Sequence, residues 1–225
     1  MLFHLPKPMH GWREFAGEVG IIVVGVLIAL SAEQLVEAAH WREEGRTFRE
    51  AVDHELGRSI GIYAGVTAQR PCVDRNLRDL ERLLSDSAAG RQDKLLRPIG
   101  RAFFQSQYFS VWDSIGGEVT QHLPMDARIG YSELYDEFRN NDAVRAKESE
   151  VWRSLSQFEG SEPLDHADRM RLRELLSRAE ALNAVTPSNY TYILGLARPL
   201  GLRKIGEQSR DVYQDDFCRP LIRER

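Results

Sequence analysis

Cysteine is nearly missing from this chain. Two residues in 225, Cys72 and Cys218, are too few for a scaffold built on disulfides. Lysine is scarce as well: 26 of the 30 basic residues are arginine, and 34 acidic residues bring the formal net charge to -4. A slightly acidic chain has no general attraction for nucleic acid, so no nucleic-acid partner is expected. Neither collagen-like nor mucin-like composition is present. With 42% hydrophobic and 9% aromatic residues the chain is not a disordered one. Its length suits one sizeable domain whose core needs no metal or disulfide staple.

Motifs that carry chemistry are equally thin. The histidines are His4, His10, His40, His54, His122 and His166, and none falls in an HExxH or cysteine–histidine metal spacing. There is no GxSxG elbow, no GxxxxGK[ST] loop and no GxGxxG turn. Cys72 follows Pro71 with neither a base nor a resolving cysteine nearby. No catalytic residue, cofactor or metal ligand is therefore assigned. Arg169, Arg171, Arg173 and Arg178 cluster, but Asp165, Asp168, Glu174 and Glu180 interleave with them, as on a solvated helix face. Asn189-Tyr190-Thr191 matches a glycosylation sequon by letters alone.

What the chain does contain is one strongly apolar run, Val19 to Leu30. Extended to Phe15 and Ala32 it holds a single charge, Glu18, and as a helix measures about 27 Å against a hydrocarbon core of about 30 Å. Glu18 sits one turn from the start, where a carboxyl can lie near headgroups. Trp12 and Trp41 flank the run, as interfacial indoles do. The reading is a tail at 1–14, a transmembrane helix at 15–32, a long helix leaving the membrane at 33–69, and a helical domain at 70–225. Three competitors stay open: a core helix of a soluble protein, a reversible amphipathic anchor, and a cleaved signal peptide with Lys7 and Arg13 as its basic region.

Within the run, Glu18, Ile22, Gly25, Ala29 and Glu33 recur at spacings of three and four. Gly25 and Ala29 form a small-xxx-small notch between two carboxylates, a face suited to a second copy or another membrane protein, or merely the surface of a lone anchor.

Beyond the run the apolar period is helical throughout, and no alternating strand pattern competes, so the fold expected is all-α. Leu35, Ala38, Trp41, Phe48, Val52, Leu56, Tyr63 and Val66 continue one helix from Trp12 to about Gln69, with Gly45, Gly57, Gly61 and Gly65 as weak points for a bend. A second helix is expected over Val73 to Leu84. Phe103, Phe104, Tyr108, Phe109, Val111 and Trp112 form the densest aromatic cluster and the best core candidate. Pro124 opens a helix with Ile129, Leu134, Tyr135, Phe138, Val144, Val151, Trp152, Leu155 and Phe158 on its apolar stripe, bent near Asn140-Asn141-Asp142. Ser161 is the expected N-cap of the next helix, with Met170, Leu172, Leu176 and Val185 among its apolar positions, and Thr186-Pro187-Ser188 ends it. Tyr190, Ile193, Leu194 and Ala197 follow, and Tyr213, Phe217 and Cys218 tether the tail. Function then lies in structural or protein–protein contacts. The alternative is a ligand sensor or enzyme with a pocket around Tyr108, Trp112, Tyr135 and Trp152.

Cys72 and Cys218 are either two buried thiols or, in an oxidising compartment, one disulfide worth about 4 to 5 kcal/mol on the chain-entropy model. Basic residues on the two sides of the apolar run do not choose a topology: Lys7 and Arg13 precede it, and Arg42, Arg46 and Arg49 follow. A short first segment is cheap to retain, which favours export of the C-terminal residues.

One resemblance rests on Trp12-Arg13-Glu14-Phe15, Glu18-Val19, the block Ile21 to Leu30, and Glu33-Gln34. Residues 12–45 resemble the opening of an uncharacterised bacterial family of small single-pass membrane proteins, in which a REF...IVIGVLIAL-type segment precedes a long helix and a helical domain. This chain departs from many members in having Ser31-Ala32 after the apolar block. The resemblance implies a retained anchor with a helical extramembrane domain and carries over no site residue; joined to the export favoured above, the expectation is a bacterial inner membrane with a periplasmic domain.

Overall fold

A computed structural model describes residues 11–91, 93–101, 105–160, 163–206 and 216–223, without the side chains of 116 and 117. Six α-helices account for most of them, and no strand occurs among the described residues. Helix α1 spans Gly11–Ala68, α2 Arg70–Ala88, α3 Ser110–Val119, α4 Met125–Ser156, α5 His166–Ala184 and α6 Thr186–Ala197, with a short 3-10 turn at Thr120–His122 after α3. Phe103, Phe104, Ser161 and Tyr213, to which the sequence assigned core, capping and tethering positions, lie outside the described residues.

At 58 residues, α1 is about 87 Å long. It starts at Gly11, inside the stretch read as a tail. It ends where Pro71 cannot donate to the carbonyl four residues back, so the backbone steps at Gln69 into α2. Residues 11–40 are exposed all round, whereas Phe48, Val52, Leu56, Ile60, Tyr63 and Val66 are buried. The far half of the long helix is thus a member of the bundle and not a connector to it.

The helices enclose two apolar cores. One gathers Val52, Leu56 and Tyr63 of α1, Leu134, Tyr135 and Phe138 of α4, and Ile193 and Ala197 of α6. The other gathers Leu77 and Leu80 of α2, Val151, Trp152 and Leu155 of α4, Leu172 and Leu176 of α5, and Phe217, Leu221 and Ile222 of the tail. Helix α4 runs through both as one continuous helix, Asn140-Asn141-Asp142 included. Its buried stripe includes Asn141, Arg145 and Glu148, so polar residues hold the register between the two cores, while Val144 is half-buried and Ile129 exposed.

The aromatic cluster expected to form the core sits at its rim: Phe109, Val111 and Trp112 are half-buried against the first core. The aromatics at its centre are Tyr63, Tyr131, Tyr135 and Phe138, spread over α1 and α4. Helix α5 is capped by Asp165, which accepts from the Asp168 amide at 2.8 Å while its own amide donates to the Asp168 carboxylate. A carboxylate there satisfies an otherwise orphaned donor and meets the positive end of the helix. Met170, Val185 and Leu194 are exposed.

Cys72 and Cys218 are disulfide-bonded, with Cα atoms 4.8 Å apart. Around the bond the tail is held by polar contacts. Arg97 donates to the Phe217 and Arg219 carbonyls, the Leu221 amide to Asp79 at 2.8 Å, and the Leu96 amide to the Leu221 carbonyl at 2.8 Å.

Gly57 and Gly61 are close-approach sites within a continuous helix. The extended segment around Ile205 lies on them, and its amide donates to the Gly57 carbonyl at 2.8 Å. A Cβ on Gly61 would stand 2.4 Å from the Ile205 carbonyl oxygen. Alanine in a helix interior normally stabilises by about 1 kcal/mol over glycine. Gly61→Ala is expected to reverse that sign and lose about 1 to 3 kcal/mol by overpacking. Denaturant titration of the full chain in micelles checks this, and a gain in stability would refute the contact.

Candidate functional site

The feature with the largest unmet physical demand is the first half of α1. It contains a helix long and apolar enough to cross a membrane, with mean hydropathy 2.3 over its most apolar stretch and none of that stretch buried in the protein. Phe15, Val19, Ile21, Ile22, Val23, Val24, Val26, Leu27, Ile28 and Leu30 are all exposed. Glu18, Ile22, Gly25, Ala29 and Glu33 share one face of it, and beyond the helix's own adjacent backbone nothing lies within 4 Å of where a Cβ on Gly25 would stand. An apolar surface of this extent is far beyond the scattered exposed leucines of a soluble protein.

Where α1 meets the bundle, the Trp41 ring stacks on His122 with centroids 4.0 Å apart, and Gly45 faces Leu123. A shallow cleft of about 380 Å³ opens there, lined by Gln34, Glu37, Trp41, Arg42 and His122. A second cleft, about 350 Å³, lies between α1 and the loop before α3, where Arg58 packs 4.2 Å over the Tyr108 ring and donates to its hydroxyl at 2.7 Å. A third, about 530 Å³, runs between α4 and α6 past Ile129, Gly130, Leu196 and Leu200.

The four aromatics expected to line one pocket do not all come together. Trp112 stacks on Tyr135 at 5.0 Å in the first core, Trp152 packs edge-on to Phe217 in the second, and Tyr108 lies in the Arg58 cleft. Hydropathy pooled them because all are aromatic, yet α4 carries Tyr135 and Trp152 into different cores. No group of three or more His, Cys, Asp or Glu residues suited to a metal ion occurs among the described residues. Asn189 of the sequon is spent inside, donating to Asn141 at 2.9 Å. Arg171 and Arg178 pair with exposed Glu174.

Buried polar groups are concentrated in two places. Glu55, 5% exposed, accepts from the Tyr135 hydroxyl at 2.7 Å and from the Ser110 hydroxyl and Val111 amide at 3.0 Å each. Its charge thereby sits at the N-terminus of α3, where the helix dipole favours it. Beside it, Tyr131 donates to Asp53 at 2.7 Å, and burial raises the Asp53 pKa. The second place is the seam of α4. Arg145 pairs with Glu148 and donates to Thr186 at 2.7 Å, Arg101 donates to Glu148 at 2.9 Å, and Tyr63 donates to Asn141 at 2.8 Å. Reading the sequence by apolar content missed Asn141, Arg145 and Glu148. The signal was their spacing, which continues that of Leu134, Phe138, Trp152 and Leu155.

The chain matches no family model, no curated protein and no solved structure.

The buried phenols give the fold an alkaline limit. Burial pushes the Tyr63 pKa from 10 to about 12, and burial followed by the Asp53 and Glu55 carboxylates also raises those of Tyr131 and Tyr135. A phenol raised in the folded state adds stability that is complete below pH 10 and fades as pH climbs through the folded value. Stability is expected to hold flat to about pH 10 and to fall between there and pH 12. Tyr63→Phe, at a cost of about 1 kcal/mol near neutrality for the lost hydrogen bond, makes that fall shallower. Denaturant midpoints measured against pH check it, and identical slopes in the two proteins would count against a buried phenol at position 63.

Proposed function

We propose that the chain is a single-pass membrane protein of bacterial inner-membrane type. The first half of α1 lies in lipid, and the helical bundle, locked by Cys72–Cys218, stands in the periplasm and acts through contacts with other proteins. The family likeness of residues 12–45 belongs to the same proposal. The observation that carries it is the apolar helix with nothing of its own chain against it. Ten large apolar side chains between Phe15 and Leu30 are exposed. At roughly -0.3 to -0.6 kcal/mol each on an insertion scale, they outweigh a single carboxyl near the helix end. The same residues left in water would forgo about 1.5 to 3 kcal/mol apiece, a sum larger than the usual net stability of a domain. Helix α1 also continues from the apolar stretch into the bundle without a break, which favours a retained anchor over a removed leader. Support for the compartment comes from the disulfide, since such bonds persist where the medium oxidises.

The first test is alkaline carbonate extraction of membranes. The unaltered chain is expected to stay in the pellet. Val24→Arg with Leu27→Arg, costing about 6 kcal/mol together near the midplane, is expected to release it. Alkylation of whole cells without reductant then reads the compartment: blocked thiols support export, whereas full labelling of Cys72 and Cys218 would place the bundle in the cytosol.

The face Glu18, Ile22, Gly25, Ala29 and Glu33 is the proposed meeting point with a second copy or a membrane partner, since small residues let helix backbones approach in lipid. Gly25→Leu is expected to lower self-association in bilayers measured by energy transfer. Unchanged transfer would remove this face from consideration.

A further inference from the structure

The cleft between α1 and the loop before α3 carries basic groups with no acid of its own. His54, Arg58, Gln105 and Tyr108 form its polar lining, Ile62 and Ile205 its apolar side, and none of its described lining residues is acidic. Arg203 and Lys204, both exposed, flank it on the segment that packs against Gly57 and Gly61. Among the described residues none of Arg58, Arg203 and Lys204 is paired with a carboxylate. The neighbouring acids are turned to other partners. Glu50, one turn before His54, pairs with Arg46; Asp53 accepts from Tyr131, Glu55 from Tyr135, Ser110 and Val111, and Asp142 from the Gln107 amide. On a chain of formal net charge -4, a cleft lined by basic and neutral groups alone stands out. Arg58 is also held in place. Its guanidinium lies 4.2 Å over the Tyr108 ring and spends one of its N–H donors on the Tyr108 hydroxyl, 2.7 Å away. That hydroxyl accepts from Gln105 Nε2 as well, which leaves its own proton for an acceptor from outside. Tyr108 is fixed in turn by its amide, which donates to Ser59 Oγ at 3.2 Å.

We propose that this cleft receives a carboxylate side chain from an acidic segment of a protein partner. The proposal deepens the role in protein contacts given above and rests on that reading. A guanidinium offers paired N–H donors that match the two oxygens of a carboxylate, and one already stacked on a ring loses less freedom when it binds. The cleft, about 350 Å³, has room for more than a bare ion. Ile62 and Ile205 suit the methylenes that carry a glutamate carboxylate, a feature that inorganic phosphate lacks. A lipid headgroup does not reach the site under the proposed anchoring. Arg58 stands about 39 Å beyond Ala32 along α1, far outside a headgroup layer of roughly 5 to 8 Å.

The test uses the full-length protein in micelles of an uncharged detergent at low salt. The probe is a fluorescent peptide of four glutamates with blocked ends, read by anisotropy beside the same peptide built of four glutamines. The glutamate peptide is expected to bind and the glutamine peptide not. Arg58→Gln is expected to weaken binding about tenfold, the scale of a hydrogen bond to a charged group. Arg173→Gln removes the same charge from an exposed position on α5 and is expected to leave the affinity unchanged. Glutarate is expected to displace the peptide at concentrations where phosphate of equal ionic strength does not. Equal binding of the two peptides would overturn the proposal. Equal losses in Arg58→Gln and Arg173→Gln would do so too, because they would reduce the effect to overall charge, and equal displacement by phosphate would remove the carboxylate assignment. The assay needs neither a bilayer nor a native partner, so it can fail while the anchor stands. Contact of the bundle with other proteins is read separately, by crosslinking in whole cells.

Discussion

Helix α1 must satisfy two surroundings with one continuous run of backbone hydrogen bonds. Its first thirty described residues find no protein surface to cover them, while the far half supplies Phe48, Val52, Leu56, Ile60 and Tyr63 to a core. A helix meets this demand because its backbone groups are paired within the segment, whether lipid, water or side chains lie outside. The transition falls at Trp41, whose ring stacks on His122, the first contact of α1 with the rest of the chain at an aromatic residue. The first core is arranged around the buried half of this helix.

Helix α4 solves the complementary problem of joining two cores. An apolar stripe along its whole length would tolerate sliding by a turn, since one leucine replaces another at little cost. Asn141, Arg145 and Glu148 remove that freedom: each has a named partner on another element or turn, and a shift would strand a charge without one. The seam therefore trades some stability for a single register. The disulfide acts at the neighbouring point. It joins the first turn of α2 to the tail, so that Phe217 and Leu221 complete the second core although they lie some 140 residues from its first members.

Much of this was legible in the sequence, and the failures have a common cause. The extent of α1, read as Trp12 to about Gln69 and found at Gly11–Ala68, followed from an apolar run, a three-and-four period and Pro71. The all-helical fold followed from the same period. Helix α2 exceeds its expected Val73–Leu84 span at both ends because its terminal turns carry polar residues that apolar periodicity does not register. The aromatic cluster misled because density in sequence is not density in space. Phe109 and Trp112 precede or begin a short helix at the rim, whereas Tyr63, Tyr135 and Phe138 come one per turn from long helices that face each other. Arg145 and Glu148 were invisible to a search for apolar positions because each makes the other tolerable inside. The burial of such a pair is a property of two positions, and hydropathy scores one at a time.

The distribution of polar chemistry bears on what sort of work the bundle does. An active site needs titratable groups that reach solvent and substrate together. Here the strongly placed carboxylates are committed inward: Glu55 to the start of α3, Asp79 to the tail, and Glu148 to two arginines. The open clefts carry Arg58 and Tyr108 bonded to each other, Glu37, Arg42 and His122 beside Trp41, or Arg49, Asp126 and Glu133 among the apolar side chains around Leu200. Charges placed inward in this way hold the helices to one another and fix the surface that they present. A surface held in this way does not rearrange on binding, which is what the proposed role in contacts with other proteins, oriented by the proposed anchor, requires.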